Sequence, residues 1–413
     1  MLRRATKVVR VEKKAITLKQ TEILFLSPDA SGTGAPYVLL LLLGWLKANT
    51  SLRLRVVLGQ GGSREDQFRA TAPTYNVETG EGFFVRHCLK MARSISWRLH
   101  RALSLRFVRS FARRYPSSVI YANTITNGEL LSTLAIPGVP VITHVHELRS
   151  IFEQCRQEGN LDLALRHTDR FIAVASVVKE NLVQGFGISL DQVEVCRGFI
   201  PFESLAAVHM ESAAQKVRRL IGARPDDVLF VACGTLSTRK GPDLFLAVAR
   251  RIEEHSVMKN SHFVWVGGNT SSPEYAALVS QVESLGMQNR MHFIGHRTDY
   301  LDFLAAAEVF LLTSREDPFP LVVLEAASFG KPIVCFEGAG GTPEFVQRDA
   351  GVCVPFGDVE AMVAATMTLA QSPEKRAEFG AVARQRVIEN HGVDVGAARI
   401  HEILRKFLPD GPG

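Results

Sequence analysis

Asp317 and Glu325, two carboxylates with seven residues between them, lie in the stretch Leu312-Thr-Ser-Arg-Glu-Asp-Pro-Phe-Pro-Leu-Val-Val-Leu-Glu-Ala-Ala327. The apolar run from Ala307 to Leu312 predicts a buried parallel strand. Ser314 to Asp317 then reads as a polar loop and Pro318-Phe319-Pro320 as a turn. From Leu321 the pattern is helical and stops at Gly330-Lys331-Pro332. Asp317 is thereby expected in a loop at the C-terminal edge of a sheet, and Glu325 in the early turns of a helix facing the same mouth. The first backbone N–H groups of that helix, at Leu321 and Val322, have no partner within the helix and carry the positive end of its dipole, so they suit a phosphate. A carboxylate on each side of a diphosphate, accepting sugar hydroxyls, would hold a nucleotide-sugar. On spacing alone a plainer reading stays open, in which an acidic residue near a helix start only caps it or answers its dipole.

Other residues could share that chemistry. Gly234-Thr-Leu-Ser-Thr-Arg-Lys-Gly-Pro-Asp243 is a loop opening a helix, and Lys240 before Gly241 is a reasonable phosphate contact or a solvated loop lysine. Arg239 is its neighbour, although alternating side-chain directions need not aim it inward. In Val139-Pro-Val-Ile-Thr-His-Val-His-Glu-Leu148 the residues His144 and His146 fall on one side of an extended chain, before Glu147. His146 is the candidate for a catalytic cleft and His144 the runner-up; either could instead be a packed, hydrogen-bonded strand residue. The strand Glu22–Ser27, the glycine-containing loop with Gly32 and Gly34, and a helix to about Ala48 open a doubly wound domain whose loop can bring N–H groups to a phosphate. Pro36 spoils a full dinucleotide fingerprint. A nicotinamide-dependent dehydrogenase is disfavoured for that reason.

The elements that must place these residues form two α/β sets. With 413 residues, 46 % of them hydrophobic, the chain can bury two domain cores. Strands alternate with helices in both halves, which predicts parallel sheets. The expected division is a basic tail over 1–20, a front domain over 21–208, a back domain over 209–385, and a final helical segment over 386–413 that packs back on the front domain. Residues 63–82 read as loop and 203–214 as linker. Thr342 is expected to cap a helix with Pro343 in its first position. Six cysteines show no Cys-x-x-Cys pair and read as buried free thiols in a reducing compartment, and no zinc spacing occurs. No apolar run is long enough to span a bilayer, and no signal peptide is convincing.

Charge is unevenly spread. Residues 1–203 hold 27 Lys and Arg against 17 Asp and Glu, a net +10 in a chain whose total is +6. From Phe83 to Arg114 there are nine basic residues and no acid, with Phe84, Met91, Ile95, Trp97 and other bulky residues at roughly helical spacing. That pattern fits a basic amphipathic surface for anionic lipid, or a pair of ordinary helices with a solvated basic face. An anionic surface or acceptor is expected for the front half; a nucleic-acid partner is not.

Several of these motifs, in order along most of the chain, resemble the group-1 (family 4) retaining, nucleotide-sugar-dependent glycosyltransferases. The match comprises the glycine loop, the strand ending Val-His-Glu, the Gly-to-Lys-Gly loop, Val-Gly-Gly, Phe-Ile-Gly, the carboxylate pair and Gly-Gly-Thr-Pro-Glu-Phe. The signature there is Glu, seven residues, Glu; here its first member is Asp317, or the neighbouring Glu316. The resemblance implies a GT-B fold of two facing Rossmann-like domains, with the acceptor on the front domain, the donor on the back one, and no metal ion. It assigns Lys240 to the diphosphate, Glu325 to the ribose hydroxyls, Asp317 and His146 to the transferred sugar, Gly295 to the loop beside the base, and Gly32 and Gly34 to the loop near the β-phosphate. Without a metal, fixed cations and backbone amides must stabilise the leaving group. The family's loop has Arg after its first Gly, where this chain has Thr235, so a non-catalytic relative that binds sugar nucleotide or glycan is the alternative. The expected enzyme is a cytoplasmic hexosyltransferase of polysaccharide biosynthesis, peripheral on the membrane, with a nucleoside diphosphate sugar as donor, a glycan or lipid-linked acceptor, and no cofactor.

Overall fold

The computed structural model describes residues 21–409 apart from 115, 206 and 256–259; the basic tail expected over 1–20 lies outside the described residues. The first sheet contains β1 (Glu22–Ser27), β2 (Arg53–Leu58), β3 (Thr74–Asn76), β4 (Val119–Asn123), β5 (Val141–Val145), β6 (Arg170–Ala173) and β7 (Val193–Val195). Their order is β3-β2-β1-β4-β5-β6-β7 and every pairing is parallel. The second sheet contains β8 (Val228–Cys233), β9 (Ser261–Val266), β10 (Met291–Gly295), β11 (Val309–Leu312), β12 (Ile333–Phe336) and β13 (Gly351–Val354), in the order β10-β9-β8-β11-β12-β13, again parallel throughout. Helices cover both faces, which is why β1, β4, β5, β9, β11 and β12 are buried along their length and mostly apolar, with no in–out alternation.

In each sheet the strand order reverses once, between β1 and β4 in front and between β8 and β11 behind. A crevice opens outside the carboxyl ends of the strands at such a point, and ligands of open α/β sheets bind there. Gly32 lies in the loop after β1, Gly34 opens the helix that follows it, and Asn123 ends β4. The loops after β8 and β11 carry Lys240 and Asp317. Gly241 lets these two loops touch: its φ is +71°, and a Cβ there would lie 2.1 Å from the Thr313 carbonyl oxygen. The Thr313 hydroxyl also donates to the Gly241 carbonyl at 2.8 Å.

The two domains are tied by the crossover near residue 200 and by the returning C-terminal helix. Ile200 N–H donates to the His391 carbonyl at 2.9 Å, and the His391 ring meets the Gly198 carbonyl at 2.8 Å. Helix Val393–Arg405 then buries Ala397, Ile400, Ile403 and Leu404 against Leu39, Leu42, Leu43 and Leu46 of the front-domain helix Gly34–Asn49. The Trp45 indole donates to Asp394 at 2.7 Å.

Three local expectations are corrected. The stretch 63–82 contains helix Glu65–Thr71 and the three-residue β3, both too short to give a periodic signal. The linker over 203–214 is largely helical, with Phe202–Leu205 and the start of Met210–Ile221. Thr342 is the first residue of helix Thr342–Val346, not its cap; Gly341 holds that position without a side-chain bond. Of the six cysteines, Cys155, Cys196 and Cys335 are buried and the other three are half-buried; all are free thiols.

Candidate active site

Lys240 closes a single turn, Thr238–Lys240, between β8 and helix Pro242–Glu253. Its stem lies over Gly234, where a Cβ would stand 3.4 Å from the lysine Cδ. Its Nζ is 2.6 Å from Oδ2 of Asp317. Asp317 is buried, and Ser314 Oγ also donates to that oxygen at 3.3 Å. Gly340 allows the loop to close: Asp317 N–H donates to the Ala339 carbonyl at 2.7 Å, and a Cβ on Gly340 would meet the Asp317 carbonyl at 1.7 Å. The carboxylate nearest Lys240 is thus Asp317, and Glu316 turns elsewhere. Arg239 is directed at the same loop. Its guanidinium donates to the Glu316 carbonyl at 2.8 Å and stands 3.9 Å from Asp317 Oδ1.

Helix Leu321–Ser328 begins where Pro320 ends the turn. Leu321 lies at the domain boundary: a Cβ on Gly34 would be 3.7 Å from its Cδ1, and one on Gly198 would be 3.3 Å from its Cδ2. The front glycine loop therefore sits over the start of the back-domain helix, where Leu321 and Val322 present its first amides. Gly32 and Gly34 are exposed there. Glu325 follows one turn further in and is only 4 % exposed. Tyr300 donates to its Oε1 at 2.8 Å, while Oε2 is buried with no protein partner. Burial pushes the Glu325 carboxyl up to about 7, against the opposing pull of the Tyr300 hydrogen bond and the Arg64 charge. An unpartnered buried acceptor costs free energy that a ligand hydroxyl can recover. Gly295 ends β10 at φ +76° and accepts from Gly267 N–H at 2.8 Å, while Arg297 is engaged by Asp299 at 2.6 Å.

On the front side, β5 ends at Val145, so His146 lies just past the strand at the cleft and is half-buried. Its Nε2 is 3.1 Å from Asn123 Oδ1. The Asn123 amide nitrogen donates to the Ala35 carbonyl at 3.0 Å, which fixes the amide's orientation and makes His146 Nε2 the protonated nitrogen. Its Nδ1 is then the free acceptor. Burial lowers the His146 pKa to about 3, so the ring is neutral. Glu147 accepts from His146 N–H at 2.9 Å and from Ile125 N–H at 3.2 Å, holding the loop. His144 is 1 % exposed and bonded to Tyr121 at 2.6 Å, a packed residue beneath the cleft.

Sequence reasoning missed Tyr300, Asn123, Tyr37 and Arg64. Arg64 stacks on the Tyr37 ring at 4.3 Å, and both lie within electrostatic reach of Glu325. No spacing in the sequence relates these four to the carboxylate pair.

Residues 214–386 match the family model described as glycosyl transferases group 1. The chain is 28 % identical over 223 residues to a D-inositol 3-phosphate glycosyltransferase of Kribbella flavida, covering 52 % of this chain and 51 % of that protein. It is 24 % identical over 245 residues to the UDP-Gal:alpha-D-GlcNAc-diphosphoundecaprenol alpha-1,3-galactosyltransferase of Escherichia coli, covering 57 % and 61 %. These matches thus span between half and about three fifths of the relatives' lengths. In fold, the chain resembles Anabaena HepE in complex with UDP and glucose, with a TM-score of 0.76, 22 % identity, and coverage of 94 % of this chain and all of that one. It also resembles the sucrose-phosphate synthase of Thermosynechococcus elongatus, with a TM-score of 0.72, 17 % identity, and coverage of 94 % and 99 %. Two facing parallel sheets with this connectivity are the GT-B fold.

Proposed function

We propose, from the match of residues 214–386 to the group 1 glycosyl transferase model and from the GT-B fold, a retaining hexosyltransferase that moves a sugar from a nucleoside diphosphate donor to a glycan or lipid-linked acceptor. The observation that carries this reading is Glu325 Oε2, a buried acceptor with no protein partner, at the mouth that also holds the Lys240–Asp317 pair. Glu325 receives the ribose hydroxyls. Lys240 and the first amides at Leu321 and Val322 receive the diphosphate, with Arg239 completing the positive side. Preorganised donors aimed at developing charge are the largest single contribution such a site can make. In this reading they replace a divalent metal. Asp317 and the free Nδ1 of His146 orient the transferred sugar. The leaving diphosphate assists removal of the acceptor proton from the same sugar face, which retains the anomeric configuration. UDP-Gal in the name of the Escherichia coli relative, and UDP in the HepE structure, favour a uridine donor.

The test is a thermal-shift titration with UDP, GDP, ADP and NAD, each with and without EDTA, followed by the anomeric configuration of the transfer product. One nucleoside diphosphate should raise the melting temperature equally in both conditions. A shift with NAD alone, or an inverted product, would overturn the reading.

The acceptor side adds a second proposal, that this enzyme works peripherally on the cytoplasmic face of an anionic membrane. Helices Phe83–Ile95 and Trp97–Arg114 expose Phe84, Met91, Ile95, Trp97 and Leu99, while Leu89, Val108 and Ala112 face the core. Acids from outside the segment pair with Arg86, Arg93 and Arg101, so the net positive face is smaller than the nine basic residues imply. No helix among the described residues is long and apolar enough to cross a membrane. Each basic side chain near an anionic surface contributes about 1 kcal/mol. Binding to vesicles with 30 mol% phosphatidylglycerol should therefore exceed binding to phosphatidylcholine by about tenfold or more at low salt, with a blue shift of Trp97 fluorescence. Equal partition into both vesicles would remove the membrane from the proposal.

A further inference from the structure

We propose that Glu316 is a positioning residue that pins the two domains together at the reacting end of the cleft. Its carboxylate belongs to the back domain, and both of its oxygens lie 3.2 Å from the backbone nitrogen of Ser150 in the front domain. The Ser150 hydroxyl donates to the same group. Ser150 is the second residue of helix Arg149–Gln157, whose own N-cap, Leu148, makes no side-chain bond. The first N–H groups of a helix need acceptors from outside it. Here one acceptor comes from 166 residues away across the cleft.

The same device recurs at Glu344. Glu344 accepts from Ser176 N–H at 2.7 Å, Ser176 Oγ at 3.0 Å and Val177 N–H at 3.3 Å, at a front-domain helix whose cap residue is Ala175. Arg197, in the crossover segment, joins Glu344 at 3.2 Å, so that contact braces the hinge side. Glu316 stands at the other side. It precedes Asp317, and its backbone is held to Arg239 through two bonds, Glu316 N–H to the Arg239 carbonyl at 3.3 Å and the Arg239 guanidinium to the Glu316 carbonyl at 2.8 Å. Ser150 follows His146 by four residues. The Glu316–Ser150 contact is consequently a short covalent and hydrogen-bonded route between the proposed sugar-facing groups, His146 in front and Asp317 behind. A shift of about 1 Å in such a pair can lower turnover about 10²-fold. The pin acts through the helix and touches no ligand; its catalytic consequence rests on the glycosyl-transfer reading above.

The experiment compares Glu316→Ala, Glu316→Gln and Glu316→Asp by kcat, donor KM, UDP affinity and small-angle X-ray scattering with saturating UDP. Glu316→Ala should lower kcat at least tenfold, leave the UDP Kd within about threefold, and enlarge the radius of gyration. Gln keeps an oxygen that accepts from Ser150 and should recover most of both losses. Asp keeps the charge but is one methylene short and should not. An unchanged kcat and radius in Glu316→Ala would overturn the pin. So would rescue by Asp equal to that by Gln, which would make Glu316 a charge at a helix terminus. A UDP Kd that weakens as much as kcat falls would make it a ligand residue and also overturn the pin. The scattering comparison needs no turnover, so a chain that transfers no sugar would be judged on that comparison, and the failure would belong to the functional reading alone.

Discussion

Replacing Lys240 with Ala should lower kcat/KM for the sugar nucleotide by about 10²–10³-fold, the range seen when one preorganised charge-stabilising donor is removed. The same substitution should also lower the melting temperature, because Lys240 has a partner before any ligand arrives. Its Nζ sits 2.6 Å from Asp317 Oδ2, with side chains 15 % and 7 % exposed. Removing one member of a buried pair strands the other charge at a cost of about 3–5 kcal/mol. Asp317 would keep only the Ser314 hydroxyl at 3.3 Å and the more distant Arg239 at 3.9 Å. The double variant Lys240→Met, Asp317→Asn separates the two effects. It removes both charges at nearly constant volume, so the melting temperature should return to within a few degrees of wild type while transfer stays lost. If the double variant recovers transfer, Lys240 acts only by neutralising Asp317 and the diphosphate role is wrong. Lys240→Arg should not rescue, because a wide planar guanidinium cannot occupy the compact position that the ammonium takes at the end of a stem packed over Gly234.

The parts of this molecule that could be read from its sequence are those governed by local pattern. Buried parallel strands are apolar runs, so β1, β4, β8, β9 and β11 announce themselves, and the Gly241-Pro242 start of a helix after β8 does too. The turn at Pro318-Phe319-Pro320 fixed the order Asp317, helix start, Glu325. What the pattern could not carry is direction across space. Glu316 and Asp317 are adjacent and chemically alike, and nothing in their spacing says that one pairs with Lys240 while the other crosses the cleft to Ser150. His144 and His146 share one side of an extended chain, yet β5 ends between them; one is packed on Tyr121 and the other stands at the mouth. Tyr300 and Asn123 reach their partners only because strand order brings distant loops together, and that order is set by the whole sheet. The basic stretch from Phe83 read as free of acid because its partners Glu78, Glu81 and Glu129 lie just outside it.

Glu325 gives the second large effect, and its sign follows from burial. The carboxyl is pushed up to about 7, so near neutral pH the unliganded protein holds it partly protonated. A ligand hydroxyl donating to Oε2 favours the ionised form, so binding releases a proton wherever the free group still carries one. Affinity for a sugar nucleotide should be flat at pH 8 and weaken as pH falls through 7, approaching tenfold per unit. UDP-glucose is the right probe, because its diphosphate does not titrate in this window as the terminal phosphate of UDP does. In Glu325→Gln the slope should vanish. Its affinity at pH 8 should fall by about 1.5–3 kcal/mol, the contribution of a hydrogen bond to a charged group. Tyr300→Phe removes a bond that lowers the Glu325 pKa, so it should move the titration to higher pH while keeping its slope. Stability of the free protein runs the other way. A carboxyl whose folded pKa is raised above its unfolded value contributes stability below about 4.5, and that contribution is lost as pH rises through 7. Glu325→Gln should therefore be more stable than wild type at pH 8 without nucleotide, yet gain less on adding UDP-glucose. Both signs come from one buried oxygen without a protein partner. A Gln variant that keeps the wild-type slope in affinity would place the titrating group elsewhere and remove Glu325 from the ribose.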